Sequence, residues 1–357
     1  MAGIGHDLNH IKKSVGEDGL KAIFEISDTG AKIISERIKK YNIDADLVWG
    51  YGYLGFNKRQ GKLLQQWEQE FKSLNPNIEI QYLEGSEVKN IVGSDTYTCG
   101  LKHMGNGHFH SLNMLLGSAK AFTEQGGKIY EFSPAVQVEY GSTIRVRTPK
   151  GSIKAKKMLW ACGAFLNKAE PYLHKKTIST YAFQLVTEPL SDELIQQISP
   201  ILGAFSDISP VLDYYRVTND NRLLYGSATG YVEYIPQDLK KWNREIMLKT
   251  FPYLANVNID LAWGGPMDCA SNLFPQLGNL TGHNNVFFVQ GYAGFGVTPS
   301  HILSKVIADG MTNGSKYWDV ISAIPKRTVW GKDHFKNVIL TMAKMVHQAQ
   351  GITNGRL

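Results

Sequence analysis

Cysteine is scarce in this chain of 357 residues, and long apolar runs are missing. The three cysteines, Cys99, Cys162 and Cys269, lie far apart without C-x-x-C spacing, which indicates neither a disulfide framework nor a zinc site. No apolar run approaches the roughly 18 residues that span a bilayer, and the opening segment is too polar for a signal peptide. We therefore expect a cytoplasmic protein without membrane contact.

The chain also has little excess of positive over negative charge. The formal net charge is +6, and lysine-rich pieces such as residues 154–157 are scattered rather than gathered into a stripe with stacking aromatic residues. This pattern disfavours nucleic-acid binding. Hydrophobic residues make up 43% of the chain, which is enough for a core in each of about two domains.

Two familiar catalytic patterns are missing as well. No G-x-S-x-G nucleophile elbow occurs, so the sequence offers no serine-hydrolase site. His103, His108 and His110 cluster around a Gly-Asn-Gly segment, but their spacing matches no helical metal pair and no Cys or carboxylate lies among them. We interpret them as hydrogen-bonded loop histidines and predict no metal site.

Hydrophobic periodicity predicts a helical start followed by mixed elements. Residues 8–40 carry a helical period, and strands at 49–56 and 78–83 flank a helix at about 58–73. The pattern further predicts a helix at 111–125 capped by Ser111, a strand at 128–132, a hairpin around Tyr140-Gly141, a buried strand at 158–161, strands at 176–187 and 211–234 around a helix near 191–199, and a final helix at about 333–348.

Residues 286–310 are the most informative segment, because they read as an apolar strand, a glycine-rich turn and an amphipathic helix. Gly291, Gly294 and Gly296 bring bare backbone N–H groups close to a ligand, and the positive end of the following helix favours negative charge. The segment is predicted to hold an anionic or electron-accepting group.

A second glycine pattern, Gly50-Tyr51-Gly52-Tyr53-Leu54-Gly55, formally matches the dinucleotide fingerprint. The entering strand is short, the acidic Glu84 comes well beyond the usual spacing of about 20 residues, and the helix begins late. We favour a strand whose glycines permit close packing. The alternative, an NAD-dependent dehydrogenase, predicts nicotinamide binding that Gly52→Val abolishes.

Three segments in combination resemble one family: Gly107–Asn113 with Gly126–Glu131, Leu212–Gly226, and Gln290–Thr298. They resemble the D-amino-acid-oxidase and glycine-oxidase superfamily of FAD-dependent amine oxidoreductases, and the similarity covers essentially the whole chain. The resemblance implies a mixed α/β fold, in which a truncated Rossmann-like FAD domain is interleaved with an antiparallel-sheet substrate domain.

The resemblance also implies domain bounds and a cofactor site for FAD. It assigns residues 1–45, 103–175 and 275–330 to the FAD-binding domain, 46–102 and 176–274 to the substrate domain, and 331–357 to a C-terminal helix. The glycine turn would face the isoalloxazine ring, the Ala135 region the adenine, and the 161–163 strand end the pyrophosphate. The cofactor-binding residues implied are Ala135, Ala161, Gly163, Gly265, Gly291, Gly294, Phe295, Gly296, Val297 and Thr298.

The chain departs from this family at its start. Family members open with a strand, a G-x-G-x-x-G turn and a helix, and none of this precedes the helical segment at 8–40. We hypothesise an N-terminally truncated product with weak FAD affinity. The alternative to an enzyme is a flavin-free, non-catalytic remnant or binding subunit.

A second departure concerns the substrate. Amino-acid oxidases of the family hold the substrate carboxylate with arginines, where this chain has Gly264-Gly265-Pro266 and Gly291–Gly294. A buried carboxylate without such a partner is costly, which disfavours an α-amino acid. We expect instead an amine of polyamine catabolism such as gamma-glutamylputrescine, oxidised to an imine and then an aldehyde by hydride transfer to flavin, with oxygen as acceptor.

Aromatic residues are the candidates for lining the substrate site, with core packing as the alternative for each of them: Tyr214, Tyr215, Trp263 and Phe295. Arg216 is expected to make a structural ion pair or a backbone contact rather than to bind substrate. No general base is assigned, because hydride transfer needs positioning and an electron sink more than an acid or base.

Overall fold

The computed structural model describes residues 4, 9–166, 168–209, 212–230, 235–331, 335, 338–342 and 345–346. Its mixed composition of helices and largely antiparallel sheets confirms the expected fold class. The helices are α1 (Asn9–Lys40, kinked at Gly16), α2 (Lys58–Leu74), α3 (Ser111–Glu124), α4 (Pro171–His174), α5 (Asp192–Ile198), α6 (Leu239–Thr250), α7 (Val297–Thr312) and α8 (Lys316–Ser322).

The strands form three sheets. They are β1 (Val48–Gly55), β2 (Ile80–Glu84), β3 (Cys99–His108), β4 (Gln137–Glu139), β5 (Ile144–Thr148), β6 (Gly151–Ala155), β7 (Met158–Trp160), β8 (Thr177–Thr187), β9 (Ala204–Asp207), β10 (Tyr214–Val217), β11 (Leu223–Gly230), β12 (Ile259–Ala270), β13 (Gln276–Leu280) and β14 (His283–Gln290).

The largest sheet has eight strands in the order β12-β8-β11-β10-β9-β1-β3-β2. Every neighbouring pair is antiparallel except β1 and β9, which run parallel. Successive side chains of a strand point to opposite faces. One face therefore carries a core that includes Leu185, Tyr215, Tyr225 and Phe251, while α6 packs against β8, β11 and β12.

A second layer is built on three strands in the order β13-β14-β7. β14 pairs antiparallel with β13 and parallel with β7, and the outer edge of β7 has no strand partner among the described residues. Apolar side chains beside this edge are open to solvent, with Leu159 38% and Phe165 74% exposed. The remaining strands, β4, β5 and β6, form a small antiparallel sheet.

The helices α1 and α7 lie between this second layer and the large sheet. α1 packs along α7, and their buried residues, Ile23 and Ile302 among them, share a core with β13 and β14. The helices approach closely at Gly30, where an added Cβ would lie 2.5 Å from Cγ2 of Thr298. This contact fixes the first turn of α7, which borders the cavity described below.

Several local predictions are wrong. The side chain of His110, not that of Ser111, caps α3 by accepting a hydrogen bond from the Asn113 N–H at 3.3 Å. Residues 128–132 form no strand, and Phe132 is 95% exposed. His103 and His108 lie on β3 rather than in a loop. The predicted domain bounds stay predictions.

Other predictions are confirmed or lie outside the described residues. The elements expected at 8–40, 58–73, 158–161, 191–199 and 286–310 are present within a few residues of their predicted bounds. Of the 16 residues of the helix expected at 333–348, the structure describes eight, all of them helical, and the other eight lie outside the described residues. Within the described part, no helix is long and apolar enough to cross a membrane.

Candidate functional site

The glycine turn after β14 has the left-handed backbone that its sequence predicts. Gly291 and Gly294 have φ values of 81° and 85°, and Ala293 between them has 51°. α7 then begins at Val297 with Gly296 as its cap residue, so no side chain caps the helix. The start of a 16-residue helix without a side-chain cap is a favourable place for negative charge.

Asp268 on β12 ties this turn to the large sheet. Its carboxylate accepts a hydrogen bond from the Gly291 N–H, and its backbone carbonyl accepts one from Ala293 at 2.8 Å. Asp268 is only 6% exposed; burial raises the pKa of its carboxyl, and the N–H donors of the turn partly oppose that rise. Sequence reasoning missed Asp268, because the contact joins segments that no local motif links.

A second glycine turn lies at the same edge. β7 and β14 are parallel, so their carboxyl ends meet at one side of the sheet. After β7 the chain passes through Ala161 and Cys162 to Gly163, which has φ 52°. An added Cβ at Gly163 would lie 3.6 Å from Oδ1 of Asp268. The predicted residues Gly163 and Gly291 are therefore brought together, with Asp268 between them.

The face of β12 next to the turn is open at Gly265. An added Cβ there would meet no atom within 4 Å, whereas one at the preceding Gly264 would lie 2.3 Å from the ring of Phe183. Met267, two residues further on the open face, lies 3.4 Å from an added Cβ at Gly294. Gly265 and the turn thus border the same open region, and their predicted role in holding the cofactor stays a prediction.

A cavity of about 260 Å³ lies between the large sheet and the two helices. α1 contributes Ala31 and Ile34, and α7 contributes Val297 and Thr298. The sheet, its loops and the first residue of α3, Ser111, contribute the remaining lining residues: Leu47, Trp49, Tyr51, Asn106, Gly107, His108, Phe109, Ser111, Gln184, Ala204, Phe205, Tyr214, Tyr215, Arg216 and Leu224. The cavity therefore lies between the first turn of α7 and the face of the sheet from which the Tyr214 side chain projects.

The two adjacent tyrosines predicted to line the substrate site are separated by strand alternation. Tyr214 borders the cavity, and its hydroxyl accepts a hydrogen bond from Nε2 of Gln184 at 3.2 Å. The ring of Tyr215 stacks on those of Phe205 and Tyr225, each at 5.4 Å, in the core on the opposite face. Tyr215 also borders the cavity, but its ring packs in the core, and its role in substrate binding stays a prediction.

Two other predicted aromatic residues lie beside the cavity rather than in its lining. Trp263 is 43% exposed on β12 and stands opposite the cavity residue Gln184 in the strand register. Phe295 lies within the glycine turn, where its N–H bonds to the carbonyl of Tyr292 at 3.0 Å. Ala135 precedes β4 in the small sheet and is not among the lining residues. Their roles stay predictions.

The cavity contains one charged side chain among its lining residues, that of Arg216. His108 also borders it, but burial lowers the pKa of its imidazole to about 4, so the ring is neutral at pH 7. Nε2 of His108 is 3.0 Å from the carbonyl oxygen of Leu202. Among the described residues, no group of His, Cys, Asp and Glu side chains is arranged to hold a metal.

The fingerprint-like segment Gly50–Gly55 does not form a phosphate-binding turn. It lies within β1, which is paired with β3 on one side and β9 on the other. Close packing explains Gly52, because an added Cβ there would lie 2.6 Å from the ring of Phe205. The structure therefore gives no support to the alternative of an NAD-dependent dehydrogenase built on Gly50–Gly55.

Comparisons with known proteins identify the family and the fold. The profile of the DAO family, described as FAD dependent oxidoreductase, matches residues 5–310. Gamma-glutamylputrescine oxidoreductase of Escherichia coli is 34% identical over 320 residues, covering 89% of this chain and 74% of that protein. Glycine oxidase from Geobacillus kaustophilus has a similar structure, with a TM-score of 0.71 at 15% identity over 91% of this chain and 87% of that one. L-alpha-glycerophosphate oxidase from Mycoplasma pneumoniae, solved with FAD bound, gives a TM-score of 0.66 at 17% identity over 82% and 79% of the two chains.

Proposed function

The chain belongs to the family of FAD-dependent oxidoreductases, and from that premise we propose that it oxidises an amine, gamma-glutamylputrescine or a similar compound, to an imine that water converts to an aldehyde. The acceptor that we propose is oxygen. The observation that carries the proposal is the open region between Gly265 and the glycine turn, beside a cavity without a carboxylate among its lining residues. Such a site fits a flat electron-accepting ring and a neutral amine.

The residues present fit the ring of FAD, the cofactor of this family. Gly265 leaves open space where any side chain would intrude, and the turn with the start of α7 offers backbone N–H groups to a group that gains negative charge. Gly291, Gly294, Gly296 and Val297 would hold the ring, and Asp268 would keep their backbone in place. When bound, FAD supplies the electron-accepting ring that the protein side chains lack.

The side chains of the cavity would position the amine rather than take part in proton transfer. Gln184 and Tyr214 are joined by a hydrogen bond, so both are fixed against the sheet. Trp263 adds an aromatic wall on the neighbouring strand. Holding the reacting carbon in one orientation lowers the barrier by removing freedom that would otherwise be lost on reaction.

The pH dependence of kcat/KM should follow the deprotonation of the substrate amine rather than that of an enzyme base. An alkylammonium ion has a pKa of about 10.4, and hydride transfer requires the neutral amine. We expect kcat/KM to rise about tenfold per pH unit from pH 7 to 9 and to level near pH 10. His108, with its pKa lowered to about 4, is neutral throughout this window. A plateau already reached below pH 8 would show that an enzyme group activates the amine.

Product analysis with a panel of amines tests the proposed reaction. The purified protein, supplied with excess FAD, is incubated with gamma-glutamylputrescine, N-acetylputrescine, glycine and D-alanine in air. We expect aldehyde and an equal amount of hydrogen peroxide from the first compound, and neither product from the two amino acids. Oxidation of an amino acid in preference to the amines contradicts the proposed substrate. Aldehyde formed only with an added dye as acceptor contradicts the role of oxygen.

A further inference from the structure

Arg216 is the one cation among the described residues that line the cavity, and its charge is poorly compensated. Its guanidinium is partly buried, and it donates a long hydrogen bond of 3.5 Å to the carbonyl oxygen of Val217. No ion pair within 4.0 Å joins it to a carboxylate of the described residues. The backbone contact expected from the sequence is present, but the expected ion pair is not found in the described part of the chain.

Two carboxylates whose charges act on Arg216 are engaged with other partners. Asp46 accepts a hydrogen bond from Asn219 at 2.7 Å, and Asp220 pairs with Arg222 at 2.7 Å. Burial lowers the pKa of Arg216, and the more distant charges of Asp46 and Asp220 oppose that effect only in part. A buried guanidinium without a close anion is costly, so a ligand that brings an anion to this cavity would be favoured.

The position of Arg216 decides where that anion lies on the ligand. β10 is three strand spacings from β12, which places Arg216 about 14 Å from the strand that carries Gly265. The strand register sets Arg216 level with Leu261, four residues before Gly265, so the two backbones are about 19 Å apart. An arginine side chain reaches about 7 Å, so its guanidinium can meet an anion roughly 12–19 Å from Gly265. A carboxylate on the reacting carbon would lie within about 3 Å of the amine, which is too near.

We propose that Arg216 binds a carboxylate at the far end of the amine substrate and so selects amines that carry a distant carboxylate over simple polyamines. This inference rests on the proposed function, and it adds a specificity residue to that site. In gamma-glutamylputrescine the carboxylate is separated from the reacting carbon by about nine bonds, or roughly 10 Å when extended. With a flavin ring between Gly265 and the reacting carbon, that carboxylate can lie about 12–17 Å from Gly265, within the reach of Arg216. The guanidinium fork can hold both carboxylate oxygens at once.

Binding of an unreactive analogue tests this assignment without requiring turnover. Gamma-glutamyl-n-butylamide carries the carboxylate but no distal amine, and its affinity is measured by calorimetry with excess FAD present. We expect Arg216→Gln to weaken its binding by about 50-fold, Arg216→Lys to weaken it less, and N-butylacetamide to bind wild type and variants equally weakly. Arg147→Gln, which removes an exposed ion pair on β5, is the matched control and should bind as wild type does.

Turnover separates this inference from the proposed function. Arg216→Gln should lower kcat/KM for gamma-glutamylputrescine about 100-fold, mainly through KM, and change that for N-acetylputrescine less than threefold. Equal losses on both amines, loss of flavin absorbance in Arg216→Gln, or unchanged binding of the analogue would each overturn the assignment. If the protein oxidises neither amine but its binding of the analogue still depends on Arg216, the proposed function is contradicted and the assignment of Arg216 is not.

Discussion

Replacing Gly265 by leucine is expected to abolish FAD binding and leave the fold intact. The added side chain meets no protein atom within 4 Å, so it fills open space beside the glycine turn instead of disturbing the core. We expect FAD affinity to fall at least about 100-fold and the melting temperature to change by less than about 2 °C. Flavin absorbance of the purified variant and a thermal melt measure the two effects.

Gly151→Leu is the matched control for this variant. Gly151 opens β6 in the small sheet, and an added Cβ there also meets no atom within 4 Å. Both variants add the same side chain to a strand glycine, so a general effect of leucine would appear in each. Retention of wild-type FAD affinity by Gly265→Leu would exclude the open face of β12 as the ring site.

Removing the carboxylate of Asp268 should have the next largest effect, on stability and flavin binding together. Asp268→Ala leaves the buried Gly291 N–H without its acceptor and frees the turn from β12. We expect the free energy of unfolding to fall by about 2–4 kcal/mol and FAD affinity by at least tenfold. Chemical denaturation and FAD titration of the folded variant measure these quantities.

Two further variants separate the role of the acceptor from that of charge. Asp268→Asn keeps an oxygen that can accept the Gly291 hydrogen bond, so it should recover part of both losses. Asp260→Ala removes an exposed carboxylate on the same strand, where it pairs with Arg222, and should change stability little. Full stability and full FAD affinity in Asp268→Ala would show that the turn holds its shape without this anchor.

Local sequence patterns predicted the C-terminal part of the site well. The strand, turn and helix at 286–310 combine an apolar run, glycines at positions with positive φ, and helical periodicity, each of which acts within a few residues. Period-two alternation also explains why the side chains of Tyr214 and Tyr215 point to opposite faces of the sheet, a difference that the sequence alone is enough to predict.

The features that the sequence did not predict depend on contacts between segments that are far apart in the chain. The segment 128–132 alternates like a strand, but Ile129 and Phe132 remain 50% and 95% exposed, so no burial supports a strand there. The Gly-Asn-Gly segment between His103 and His108 looks like a loop, yet it lies at a bulge within β3, where Gly107 pairs with Trp49 of β1. The contact of Asp268 with Gly291 depends on how β12 meets the turn, which no motif encodes.

An anaerobic titration tests the central claim, that FAD held at the glycine turn takes electrons from an amine in the adjoining cavity. The protein is loaded with FAD, freed of excess cofactor, and mixed with gamma-glutamylputrescine in the absence of oxygen while visible absorbance is followed. We predict loss of the oxidised-flavin absorbance upon mixing and its return when air is admitted. A protein that retains no flavin, or whose bound flavin keeps its colour with saturating amine, would contradict the account.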